Sequence, residues 1–530
     1  MDNQIKRNLV VLTVLDGWGI APPGPGNVIS LAKVPNFDNF LKNYPNSRLT
    51  ASGKDVGLKE NEPGNSEAGH ENMGAGRTVL QDKIEITKSI LDGTFFKNAA
   101  FVEALNHAKK YESKIHLMGL LSDERSGHAE PEHLEALLVM LKQANFNNVY
   151  LHLFTDGRDT PPKSAEKFLK RLHLTISSLG VGKVATISGR YYGMDRAHNY
   201  QRLEKSYNAI VHGKGKTAVN EYQAVKQAYE RGETDEFITP TVIPHKDKKG
   251  VKKPVTVGDD DAMIFFNLRS DRARQMTKAF VQPELLKNGS DGITNGFKEF
   301  KNLFFVSMTE FGTDLPVIIA YPTRKVFNNL PQYLEKQSNV HQLYISESEK
   351  FAHVSYFFHG NYAKLLRNEK KIRIDSKNVA TFDLAPEMSA NEIVDTLVMH
   401  LRQKLYNFCL VNFPNADMLG HTGDIKSAVK GVEVIDSALE KIYEQVKSQN
   451  GSMIITADHG NVEEMIDLVT KEPTHEHSRN LIPFIVVDEK LKEQKVSLRD
   501  GSLRDVAPTV LDLMQIKKPD EMLGISLLKK

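Results

Sequence analysis

Ser66 is the only hydroxyl in the stretch Asn61–Arg77, and five residues of that stretch are glycine or proline. Such a segment stays off regular structure and lets a charged ligand approach the backbone closely. A serine there is either a helix N-cap or a nucleophile. Local sequence favours the cap, but Gly69 stands where a capping box needs Glu or Gln. The choice turns on six distant residues. Asp16 follows the apolar run Leu9–Leu15, Asp417 and His421 follow Phe408–Val411, and Asp458 and His459 follow Met453–Thr456, while His477 precedes Phe484–Val487. A carboxylate and imidazole set without sulfur suits Mn²⁺, Zn²⁺ or Mg²⁺ and is large enough for two ions. A serine beside such ions has its hydroxyl acidified, which makes Ser66 a candidate nucleophile.

A second constellation is basic. Arginines recur at turns in Asp156-Gly157-Arg158-Asp159, Ser188-Gly189-Arg190, Met194-Asp195-Arg196 and Asn267-Leu268-Arg269-Ser270-Asp271-Arg272. The guanidinium fork matches phosphate and carboxylate. One such arginine is ordinarily a surface ion pair, but four clusters at or near strand ends indicate an anionic substrate.

The elements that must position these groups follow from the apolar pattern. Asn8–Leu15, Phe408–Val411, Met453–Thr456 and Phe484–Val487 read as buried strands, separated by helices such as Ala390–Lys404 and Ile425–Gln445. A helix is expected over Val34–Tyr44 and a short strand and loop over Ser47–Gly57. In a parallel α/β sheet, ligands bind outside the carboxyl ends of the strands, so acids hundreds of positions apart converge there. Between about Asp82 and Leu315, strands at Lys114–Met118, Val149–Phe154, Val184–Ser188 and Ala262–Phe266 alternate with helices such as His133–Gln143 and Ala165–Leu179, a second α/β unit. The basic stretch His245–Lys253 reads as a solvated loop.

Composition narrows the class. A chain of 530 residues exceeds one ordinary core, and a net charge of +2 argues against a nucleic-acid binder. The single cysteine, Cys409, excludes a disulfide framework and fits a reducing compartment. Lys6 and Arg7 before Leu9–Leu15 imitate a signal peptide, but Asp16-Gly17-Trp18-Gly19 is no cleavage site and the run is too short to span a membrane.

Over essentially its whole length the chain resembles the cofactor-independent phosphoglycerate mutases of the alkaline phosphatase superfamily. The resemblance rests on Leu15-Asp16-Gly17-Trp18-Gly19, Gly64-Asn65-Ser66-Glu67, Asp156–Lys163, Ser188–Arg196, Asp417–Gly423 and Thr456–Asn461. It implies an alkaline-phosphatase-like three-layer α/β domain, residues 1–81 and 316–530, that binds metal, with a substrate-binding α/β domain, residues 82–315, inserted into it. It implies one divalent ion on Asp16, Ser66, Asp458 and His459 and another on Asp417, His421 and His477. Manganese is expected, with Mg²⁺, Co²⁺ and Zn²⁺ as alternatives, and no 2,3-bisphosphoglycerate is required. Ser66 would take the phosphoryl group and Lys350 would steady it, while His128, Arg158, Asp159, Arg190, Arg196, Arg269, Arg272 and Lys350 would grip the phosphoglycerate. Two departures stand out. Glu124-Arg125-Ser126-Gly127-His128-Ala129 replaces the family's Gly-Gly-Val-His-Ser-His and is one residue longer, so the equivalence of His128 rests on the Glu130–Leu134 segment after it. Ser270 stands where the family commonly has proline, and His475 competes with His477 as ligand.

The expected reaction interconverts 3-phosphoglycerate and 2-phosphoglycerate through a phosphoserine, with Asp159 as acid/base, in a cytoplasmic monomer of glycolysis and gluconeogenesis with no nucleic-acid or membrane partner. A phosphatase or phosphopentomutase of the same superfamily is the rival, but an arginine-rich insert suits an enzyme that retains its leaving group. A silent binder of phosphorylated metabolites would leave Ser66, Lys350 and the ligand set without purpose.

Overall fold

The structure is a computed structural model that describes residues 8–529 apart from 248, 288–295 and 468–469. Lys6 and Arg7 lie outside the described residues. The chain divides into two compact units, Met1–Gln81 with Arg324–Lys530, and Asp82–Thr323. The second crossing therefore falls after Thr323 rather than at residue 315, because Ile318–Tyr321 forms a strand paired with Phe304–Thr309 and belongs to the insert's sheet.

The first unit is built on an eight-stranded sheet. Its strands run in the order Glu369–Ile374, Gln342–Glu347, Phe408–Phe413, Val10–Leu15, Ser452–Thr456, Ile482–Val487, Asn46–Thr50 and Gly501–Ser502. Val10–Leu15, Phe408–Phe413 and Ile482–Val487 are buried at every position. Burial on both faces requires covering layers above and below the sheet, the three-layer α/β arrangement. Each buried Val or Leu contributes roughly 1.5–3 kcal/mol relative to exposure. Two long amphipathic helices, Ala390–Arg402 and Ile425–Lys447, pack on each other, and Ser66–Ala75 packs on Val506–Leu513.

Register places the site. Leu15 pairs with Phe413 and Val14 with Thr456, all parallel, so Asp16, Asp417 and Asp458 leave one edge of the sheet together. Ile482–Val487, by contrast, runs antiparallel to Ser452–Thr456. A residue before that strand reaches the edge that the other strands leave, which is how His477 joins the set.

The insert's sheet runs Ile318–Tyr321, Phe304–Thr309, Ala262–Phe265, Ile115–Leu121, Val149–Thr155, Lys183–Gly189, Thr241–Val242 and Lys216–Thr217. Leu121 pairs with Thr155, and Thr155 with Gly189, so Ser122, Asp156 and Arg190 follow three neighbouring strands at one level, Arg190 opening the short helix Arg190–Gly193. The stretch His245–Lys253 is not an irregular loop: His245–Lys246 and Lys252–Lys253 pair as an antiparallel hairpin.

Candidate active site

Asn65, not Ser66, caps the helix Ser66–Ala75, accepting from the Ala68 N–H through its side chain. The Ser66 hydroxyl is left free of the cap and meets Lys350 Nζ at 2.5 Å, His459 Nε2 at 2.9 Å and Asp16 Oδ1 at 3.4 Å. Lys350 also donates to Asp16 Oδ1 at 2.9 Å and Asp417 Oδ2 at 2.7 Å. His459 Nε2 lies 3.5 Å from Asp16 and 3.6 Å from Asp458, so Asp16, Ser66, Asp458 and His459 form one group. Asp417 Oδ1 faces His477 Nε2 at 3.1 Å and His421 Nε2 at 3.3 Å, a second group. His475 stays outside it, with its Nδ1 donating to the His421 carbonyl.

The donor set fits divalent cations. His421 Nδ1 donates to the His475 carbonyl at 2.7 Å and His477 Nδ1 to the Gly64 carbonyl at 2.8 Å. In the neutral rings each Nε2 then carries a lone pair, and the two face each other at 3.1 Å beside the Asp417 carboxylate. Two lone pairs and an anion converging on one point are a cation's ligands. In the other group Asp458 Oδ2 is buried without a hydrogen-bond partner. His70 Nδ1 lies 3.3 Å from it, but that N–H is directed to the Ser66 carbonyl at 2.9 Å. Three buried carboxylates, Asp16, Asp417 and Asp458, meet one ammonium, Lys350, a shortage of positive charge that burial makes costly.

Titration follows from this crowding. Burial, aided by repulsion from Asp458, outweighs Lys350 and pushes Asp16 up to about 7. Burial works against the Lys350 charge, but Asp16 and Asp417 overcome it and hold the ammonium protonated well above the ordinary lysine range. Burial takes His459 down to about 3, so its imidazole is neutral and free to ligate.

Sequence reading missed two supports of this group. Asn412 donates to Asp16 Oδ2 at 2.8 Å and lies 3.1 Å from His70 Nε2. Asp16, His70 and Asp458 are themselves a further trio close enough to share an ion. His70 follows Ser66 by four helical positions, a spacing that puts both on one face and was legible.

In the insert, Arg190 is 1% exposed and bridges Asp156 at 2.6 Å and Asp159 at 2.9 Å. Its Nε has no partner. Arg196 reaches Asp271 at 3.2 Å, Arg158 lies 3.6 Å from Glu236, and Arg272 donates to the Met194 carbonyl at 3.3 Å. Burial, then repulsion from Arg190, Arg196 and Arg158, lowers the Arg272 pKa, the mark of a cluster short of anions. His128 lies 3.9 Å from Asp271, and burial with the nearby Arg190 drives it down to about 3.

The atypical segment has its own anchoring. Lys83 Nζ donates to the Glu124 carbonyl at 2.6 Å and pairs with Glu130 at 3.2 Å. Ser126 donates to Asp159 Oδ2 at 2.7 Å and accepts from the His128 N–H at 3.2 Å. Gly127 lets Arg269 lie against the backbone, since a Cβ there would fall 2.8 Å from the guanidinium carbon. Burial favours the neutral acid at Asp159, but Ser126 and Arg190 outweigh it and hold the carboxyl below its ordinary range.

Residues 8–518 match the Metalloenzyme superfamily. The chain is 44% identical over 522 residues to the 2,3-bisphosphoglycerate-independent phosphoglycerate mutase of Clostridium kluyveri, covering 98% of this chain and 99% of that one. It is 45% identical over 530 residues to the protein of that name from Clostridioides difficile, covering 99% and 100%. Among solved structures it is similar to Leishmania mexicana phosphoglycerate mutase crystallised at low cobalt concentration, with a TM-score of 0.76 at 28% identity, covering 99% of this chain and 98% of that one.

Proposed function

The chain belongs to the 2,3-bisphosphoglycerate-independent phosphoglycerate mutases, and from that premise we propose how its own residues divide the work. It is a metal-dependent isomerase of glycolysis that interconverts 3-phosphoglycerate and 2-phosphoglycerate through a phosphoserine. Our reading makes Ser66 the phosphorylated residue. The observation that carries it is the Ser66 hydroxyl set 2.5 Å from a buried ammonium while Asn65 takes the cap.

Divalent ions on Asp16, Ser66, Asp458 and His459 and on Asp417, His421 and His477 would hold the serine ionised and offset charge on the phosphoryl oxygens. Ser66 Oγ attacks phosphorus, a new O–P bond forms, and the bond from phosphorus to the glycerate oxygen breaks. Lys350 stays protonated throughout, so it donates to the nucleophile without competing for its proton. The arginines of the insert hold the carboxylate of glycerate until its other hydroxyl attacks the phosphoserine. Asp159 rests as an anion and thus enters as a base, taking the proton of that attacking hydroxyl and passing it to the glycerate oxygen that phosphorus left, so that each turnover conserves protons. His128, neutral, serves as a hydrogen-bonding rather than a charged contact.

The finer reading takes manganese as the metal, a monomer as the working form and the cytoplasm as its place. Oxygen and imidazole donors and a lone buried cysteine support it. No helix among the described residues is long and apolar enough to cross a membrane. The test is to quench the enzyme on labelled phosphoglycerate, without 2,3-bisphosphoglycerate, and locate the label. Phosphate on Ser66, and its loss with turnover in Ser66→Ala, is expected. Residual turnover within about tenfold of wild type, only ~1.4 kcal/mol of barrier, would sink the covalent route.

A further inference from the structure

Glu463 is 2% exposed, makes no ion pair among the described residues and has no part in the chemistry above. Its carboxylate accepts only from neutral donors. Oε2 takes the Gly19 N–H at 3.0 Å and the Asn461 N–H at 2.9 Å. Oε1 takes the Asn480 side-chain N–H at 3.0 Å and the Ser478 hydroxyl. A buried anion is tolerable only when its hydrogen-bonding capacity is filled, and charge-assisted bonds are about twice as strong as neutral ones.

The donors come from three loops, each carrying a residue of the metal groups. Gly19 lies just beyond Asp16, Asn461 just beyond His459, and Ser478 directly after His477. Asn461 carries the link further, since its side chain donates to Asp417 Oδ1 at 3.0 Å. Ser478 N–H also bonds the Gly460 carbonyl at 2.9 Å, tying two of the loops edge to edge. The loops close on the carboxylate only because they carry glycine. A Cβ at Gly19 would fall 2.2 Å from Glu463 Cδ, and one at Gly460 would fall 2.4 Å from Oε1.

We propose that Glu463 is a positioning residue that fastens the loops of Asp16, His459 and His477 and thereby sets the affinity of both metal groups at once. The inference rests on the reading above that these residues hold divalent ions. Its signature is joint weakening. A ligand substitution acts first on its own ion, whereas loss of the shared fastening acts on both.

The experiment titrates metal-stripped protein with Mn²⁺, following free Mn²⁺ by electron paramagnetic resonance, and measures amide hydrogen exchange on the same metal-free samples. Glu463→Gln replaces an acceptor oxygen with an amide N–H₂ among converging donors. Both Mn²⁺ steps should weaken about 10–100-fold, the usual cost of losing an outer-shell partner. Exchange at Gly19 and Asn461 should quicken while the central strand Val10–Leu15 stays protected. Wild-type affinity at either step overturns the proposal; a wild-type protein that binds no Mn²⁺ overturns the metal reading instead. Should Glu463→Gln fail to fold, Ser478→Ala decides, because it removes one donor and leaves the carboxylate. Weakening of both steps then supports the fastening, and a change confined to one step, or none, removes it.

Discussion

The two charged clusters of this molecule are built on opposite terms. In the first unit the side chains of Asp16, Asp417 and Lys350 are 0%, 2% and 6% exposed, and the ammonium touches both carboxylates. Among the insert's described arginines only Arg190 is so enclosed, at 1%, while the side chains of Arg158 and Arg196 are 53% and 57% exposed. The difference matches what each cluster has to do. Groups that stabilise developing charge act best when fixed beforehand and shielded from water. Groups that follow a ligand while it turns must keep rotamer freedom, and surface arginines do. Arg190 is then the fixed post around which the looser arginines are arranged.

The sharpest test of that contrast is to remove the fixed charge from each cluster. Lys350→Met leaves Asp16 and Asp417 without their counter-charge, and kcat should fall by about 10³ or more in steady-state assays. Arg190→Met leaves Asp156 and Asp159 unbalanced, so unfolding of the insert, followed by denaturant melting, should become easier by about 3 kcal/mol. The looser arginines should cost less. Arg269→Ala and Arg272→Ala should each lower kcat/KM about tenfold, one charge-assisted hydrogen bond's worth, and raise the share of turnovers that end as free phosphate. A loss at Arg269 as deep as that at Lys350 would erase the distinction between fixed and adaptive charge. Ser126→Ala should lower kcat several-fold at nearly constant KM, since Ser126 touches Asp159; equal loss in Ser126→Thr would show that bulk, not the hydroxyl, matters.

The smallest effect concerns a buried acid that has no cation. Glu347 accepts from the Ser389 N–H at 3.0 Å, its other oxygen is unpartnered, and burial takes it up to about 7 from an ordinary 4.5. The unfolded chain loses this proton first as pH rises, so the stability it lends is full below 4.5 and lost on passing about 7. Glu347→Gln should therefore stabilise the first unit by about 1–2 kcal/mol at pH 8 and not at pH 4, read from melting curves at both.

Strand ends were the most legible part of the site. An apolar run stopped by an acid announces both a buried strand and a polar edge, which is why Asp16, Asp417 and Asp458 could be placed together. His477 was legible as chemistry but not as geometry, since it joins the edge only through an antiparallel pairing that no local pattern shows. Asn65 and Ser66 are both plausible caps, and sequence cannot say which hydrogen bond forms. Asn412 sits within a strand and Glu463 in a short turn, so neither type nor period marks them. Their roles exist only after distant loops meet. The Lys83 anchor was hidden for the same reason, and the hairpin at His245–Lys253 because its charged residues read as solvated.

The placement of Val10–Leu15 at the middle of its sheet governs how this protein must be made. The strand leaves the ribosome ahead of its partners Phe408–Phe413 and Ser452–Thr456, which follow roughly 400 residues later, at ~5–20 residues per second about 20–80 s. For that interval a strand apolar at every position but Thr13 has two bare edges, a template for aggregation that a holding chaperone would have to cover. The insert's sheet, whose strands all lie between residues 115 and 321, can close during the wait. Nascent chains stalled after the insert should therefore resist protease across residues 82–323 while the first strand remains open to cleavage.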